Sequence, residues 1–85
     1  MAADPDLERV EAELDDALRR LALITDRRAQ IAAGLHVAKS AGNSEKIRTL
    51  ATQLDVVEAR HARATAIAGA ASQRLTRLRQ RVQDG

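Results

Sequence analysis

The chain has 85 residues, with no cysteine and no phenylalanine, tyrosine or tryptophan. This composition excludes disulfide bridges, thiolate metal sites and an aromatic platform for stacking single-stranded bases. The net charge of +2 is too small to indicate a nucleic-acid partner by itself, and no uncharged run approaches the ~20 residues that span a bilayer. We therefore expect one small domain of the cytoplasm, with a core of Leu, Ile, Val and Ala.

The first predicted element is a long helix that begins at Asp4 and Pro5. Asp4 can cap the helix, and Pro5 suits the first helical position, where its missing N–H costs nothing. From there apolar residues recur at alternating spacings of three and four, which places them on one narrow stripe that another helix must cover. The stripe comprises Leu7, Val10, Leu14, Ala17, Leu21, Ile24, Arg28, Ile31, Leu35 and Ala38.

A turn and a second long helix follow. Gly42 can adopt the left-handed conformation that ends a helix, and Ser44 can cap the next one. The same spacing then resumes along a second stripe. It comprises Ile47, Leu50, Leu54, Val57, His61, Ala64, Ala68, Ala71, Leu75, Leu78 and Val82.

The two stripes predict an antiparallel pairing, because a short turn makes successive helices neighbours. When the chain is folded so that paired residue numbers add up to 85, Leu35 meets Leu50 and Leu14 meets Ala71, with no insertion between. This register also places Glu13 near Arg74, Asp6 near Arg81, and Asp4 near Arg79. We predict an all-α fold in which residues 1–85 form a single antiparallel coiled-coil hairpin, with helices over about 5–40 and 45–83 and a turn over about 41–44.

A set of positions on one side of the predicted hairpin carries no charge and few bulky side chains. This uncharged face comprises Leu18, Ala22, Thr25, Ala29, Ala62, Thr65 and Gly69. It has two interpretations: alanine and threonine are tolerated on exposed helices, or a partner helix covers them. A hairpin of this size buries little apolar area on its own, so we expect two copies to pair here into a four-helix bundle.

The opposite side is rich in arginine. Folding brings together an arginine patch that comprises Arg20, Arg27, Arg60 and Arg63. Such residues are often only a solvated surface, but a cluster also suits a carboxylate or a phosphate. A protein partner is favoured over nucleic acid, which could bind here only through its backbone or its shape.

Both stripes are interrupted by polar residues at a similar height. Arg28 and His61 interrupt them, and Glu58 lies close enough in the predicted register to pair with Arg28. Such a polar layer often fixes the register of a coiled coil at some cost in stability. Glu58 and His61 also have the Glu-x-x-His spacing of di-iron bundles, but the first helix offers no inward carboxylate at that height, so we expect no metal.

These features favour a non-enzymatic module that binds proteins. The sequence shows no pairing of a nucleophile with a base and no phosphate-binding loop, so we expect neither catalysis nor a cofactor. We expect the module to self-associate and to display a charged face to a partner protein. The alternative is a small bundle that binds the backbone of RNA or DNA through the arginine patch.

Overall fold

The structure is a computed structural model that describes residues 4–84, so residues 1–3 and 85 of the predicted domain lie outside it. It contains two helices, α1 (Pro5–Ala41) and α2 (Ser44–Asp84), which form a hairpin about 63 Å long. The predicted antiparallel helical hairpin is confirmed.

Residue chemistry explains both ends of α1. The Oδ1 atom of Asp4 accepts hydrogen bonds from the backbone N–H of Asp6 and of Leu7, so the predicted cap is confirmed. At the other end Gly42 has φ 67° and ψ 27°, in the left-handed region that glycine adopts without steric cost. The N–H of Asn43 then donates to the carbonyl of Ala38 at 3.0 Å, which closes the helix end.

The turn is shorter than predicted, and Ser44 is not the cap of α2. Asn43 has that role, because its Oδ1 atom accepts a hydrogen bond from the backbone N–H of Lys46 at 3.2 Å. Ser44 is the first residue of α2 itself. Asparagine and serine are similarly good caps, so the sequence alone did not decide between neighbouring positions.

The core is the seam between the two predicted stripes. The stripe residues from Leu7 to Ala38 and from Ile47 to Leu78 are all buried or half-buried. Val82 is the exception, because it is 54% exposed and its register partner would be position 3, outside the described residues. The most buried residues of the described chain are Val10, Ala17, Ile31, Ala38, Val57, Ala68, Ala71 and Leu75.

Ion pairs across the seam agree with the predicted register in part. Arg74 Nη1 lies 3.1 Å from Glu13 Oε2, as predicted. Arg79, however, lies 3.9 Å from Glu11 and not beside Asp4. Asp6 pairs with Arg9 of its own helix at 2.9 Å, so the expected pair with Arg81 is not formed. Long arginine side chains reach about a turn along the surface, so register alone does not select their partners.

Candidate interaction surfaces

The arginine patch lies on one side of the seam, and all four of its residues are exposed. Arg20 Nε lies 3.2 Å from Asp16 Oδ2, which leaves its charge partly compensated. Arg27, Arg60 and Arg63 form no ion pair within 4.0 Å in the part of the chain that the structure describes. Three guanidinium groups on this side are therefore available to an external anion.

A groove of about 520 Å³ runs between the helices on the arginine side, and we call it the main groove. Its floor and one wall are apolar, formed by Ala17, Ile24, Ala64, Ile67 and Ala71. Its rim is charged, formed by Arg20, Arg60, Arg63, Arg74, Glu13 and Asp16. The depression follows from the seam composition, because alanine side chains leave space that leucine would fill.

A second depression of about 260 Å³ continues the main groove towards the turn, and we call it the adjoining groove. Its residues include Arg27, Ile31, Val56 and Arg60. Arg60 lines both grooves, so they adjoin at this residue on the same side of the hairpin. We call the two grooves together the apolar channel, and each residue of the arginine patch lines at least one of them.

Sequence reasoning missed this channel because it sorted the two sides by charge. Ile67 is 62% exposed and Val56 is 50% exposed, and both lie among arginines. Arg60, Ile67 and Arg74 recur at intervals of seven residues, and this spacing places them on the same helix face. This spacing was the sequence signal for the channel, because an isoleucine on the same helix face as two arginines is exposed to solvent unless a partner covers it.

The uncharged face lies on the other side, and all seven of its residues are exposed. The hydroxyl groups of Thr25 and Thr65 donate to the carbonyls of Leu21 and His61, each at 2.8 Å. These hydroxyl protons therefore need no water partner. Leu18, which is 49% exposed, is the large apolar side chain of this face. The other members of the face are alanines, threonines and a glycine, so the face has little bulk apart from Leu18.

The polar layer has a different geometry from the predicted one. Arg28 Nη1 lies 3.3 Å from His61 Nδ1, and both residues are half-buried. Because arginine can only donate, Nδ1 of His61 acts as the acceptor, which places the proton of a neutral ring on Nε2. Glu58 is exposed and forms no ion pair within the described residues, so the expected Arg28–Glu58 pair is absent. The Arg28 side chain is directed along the seam towards His61, whereas Glu58 lies outside it.

Residues 4–84 also lack the features of two other classes of site. Within them no three His, Asp or Glu side chains are arranged to hold a metal ion. Neither α1 nor α2 includes a stretch of sufficient apolar length to cross a lipid bilayer. Comparison of the chain with protein-family models, with curated proteins and with solved structures finds no match.

Proposed function

We propose that this chain is a non-enzymatic protein-interaction module of the cytoplasm, which pairs through its uncharged face and presents its arginine side to a partner protein. The observation that carries the proposal is the thinness of the core. No side chain of the described residues is less than 2% exposed, and four of the eight buried residues are alanines. A hairpin with so little burial gains stability when a second copy covers one of its sides.

Charge decides which side the second copy covers. Two hairpins that met through their arginine sides would bring unpaired guanidinium groups against each other, and like charges at an interface are costly. The seven residues of the uncharged face carry no charge of their own, and all of them except Leu18 are small, which allows close approach of the helices. Pairing there forms a four-helix bundle, and the arginine side of each hairpin then points outward.

Sedimentation velocity of the whole chain tests the pairing. The wild type is expected to sediment as a dimer, and Ala62→Glu is expected to shift it to the mass of a single hairpin. Ala66→Glu is the matched control, because Ala66 is also an exposed alanine of α2 but is outside the uncharged face. A wild type that sediments as a monomer would refute the pairing, and so would a dimer that Ala62→Glu leaves intact.

The nucleic-acid alternative is supported by the unpaired arginines, and a titration with duplex RNA and duplex DNA tests it. If binding uses about three phosphate contacts, the logarithm of the binding constant should fall with the logarithm of the salt concentration with a slope near −3. Arg60→Glu would reduce that slope. Such a result would replace the protein partner by a nucleic acid, whereas weak binding that the substitution does not change would leave the protein partner favoured.

A further inference from the structure

The apolar channel is chemically different from an ordinary solvated arginine surface. Ile67 and Val56 are at least half exposed, and Ile24 lies at the channel floor between arginine side chains. Leu23 and Val37 are also exposed but line neither groove, whereas Ile67 and Val56 border apolar depressions that arginines flank, as at a binding surface. We infer that the main and adjoining grooves together bind an acidic amphipathic helix of a partner protein.

The length of the channel defines the length of its occupant. Along α1 its apolar lining extends from Ala17 to Ile31, which is about 21 Å at the helical rise of 1.5 Å per residue. A ligand helix of about 14 residues, or four turns, covers this distance. The occupant therefore has the size of one short helix and need not be a folded domain.

The walls of the channel favour a helix over an extended strand. Both walls are helices, whose backbone N–H and C=O groups are engaged within the helices, so no free edge is offered to a strand. A groove between two helices accepts instead a ridge of side chains spaced at i, i+3 or i+4, and i+7. We therefore expect apolar residues at those positions of the ligand, directed at Ile24, Ile67 and Val56.

The charges on the rim define the rest of the ligand. Arg20 and Arg74 are paired with Asp16 and Glu13, whereas Arg27, Arg60 and Arg63 have no ion-pair partner among the described residues. Aspartate or glutamate on both flanks of the ligand ridge would pair with these three groups, and the paired geometry suits arginine. A second copy of the hairpin is disfavoured, because its own arginines would face these. A nucleic-acid backbone would leave the apolar floor without a partner.

This inference rests on the proposed display of the arginine side, but it does not require that two hairpins pair. The probe is a displayed library of helix-forming peptides of about 16 residues, long enough for the four turns of the channel. The library is selected against the whole wild-type chain. Selected peptides are expected to combine Leu, Ile or Met at i, i+3 or i+4, and i+7 with flanking Asp and Glu. The affinity of the strongest selected peptide is then measured for the wild type and four variants.

Ile67→Gln tests the apolar floor, and Val37→Gln is its control, because Val37 is 65% exposed but lines neither groove. We expect the first substitution to weaken binding roughly tenfold and the second to change it less than twofold. Arg60→Glu tests the rim, with Arg48→Glu as its control on the same helix. The rim substitution is expected to weaken binding at least roughly tenfold at low salt.

Selection that yields no binder, or binders without the acidic amphipathic pattern, would overturn the inference. Equal binding to Ile67→Gln and the wild type would also overturn it. If Ile67→Gln converts a dimer to a monomer in sedimentation velocity, the channel is the site of self-association, and both the inference and the proposed uncharged-face pairing are wrong. A monomeric wild type that binds the selected peptide would refute the pairing alone.

Discussion

The seam is tested most directly by the same substitution at a buried and an exposed leucine. Leu75 is 5% exposed and is, with Ile31, one of the two largest buried side chains, whereas Leu23 is 71% exposed. Leu75→Ala removes three carbon groups at about 0.8 kcal/mol each, and incomplete collapse of the site adds to this loss. We expect the free energy of unfolding to fall by about 2–3 kcal/mol. Leu23→Ala should change it by less than about 0.5 kcal/mol, because leucine and alanine have similar helix propensities and little area is lost.

Such a loss is large for this chain. A protein of 85 residues has an unfolding free energy of about 4–13 kcal/mol, so Leu75→Ala removes a substantial part of it. At this size each kcal/mol lowers Tm by about 4–8 °C, which predicts a decrease of about 8–24 °C. The assays are urea titration and thermal melting, followed by far-UV circular dichroism at one fixed protein concentration. Equal effects of the two substitutions would refute the seam as the site of burial.

Three further predictions concern the turn, an ion pair and the polar layer. Gly42→Ala should lower the free energy of unfolding by about 1–2 kcal/mol in urea titration, because φ is 67° there. Gly69→Ala should raise it by about 0.5–1 kcal/mol, because a Cβ atom at this helical position meets nothing within 4 Å. A change of the same sign for both substitutions would contradict the assigned turn. Glu13→Gln should lower the free energy of unfolding by up to about 1 kcal/mol at low salt, and by no measurable amount at about 1 M salt, where charges are screened. A decrease that does not depend on salt would exclude an ionic origin. Arg28→Leu combined with His61→Leu should raise Tm, and a large decrease in Tm would show that the polar layer contributes more than register.

The seam could be predicted because burial imposes a strict period on the sequence. Val10, Ile31, Val57 and Leu75 each lie at a stripe position, and each is buried. An intervening insertion would have rotated later stripe residues out of the seam, so the regular spacing alone determined the pairing. The left-handed turn was also predictable, because Gly42 is the residue type that this conformation requires.

The surface was less predictable because several arrangements satisfy the same pattern. Glu58 was expected beside Arg28, but the flexible arginine side chain reaches His61 instead. The four residues of the arginine patch do share one side, yet the channel between them depends on volume and not on charge. Its depth comes from alanines such as Ala64. The stripe pattern predicts the position of these alanines but not the space beside them. The period of the sequence specifies which helix face each side chain lies on, whereas the volume left between side chains depends on their packing in three dimensions.

The two-residue connection at Gly42 and Asn43 causes the contacts between the helices to form in order, from the turn towards the open end. Arg28 and His61 are separated by 33 positions in the chain, whereas Glu13 and Arg74 are separated by 61. Bringing the second pair together from the unfolded chain costs about 0.5 kcal/mol more in loop entropy, so contacts nearest the connection form first. Amide hydrogen exchange should accordingly be slowest beside the connection and fastest at the open end. The main groove lies in the half of the hairpin away from the turn, where the contacts form last. A ligand that fills this groove would therefore also stabilise the pairing of the helices in that half.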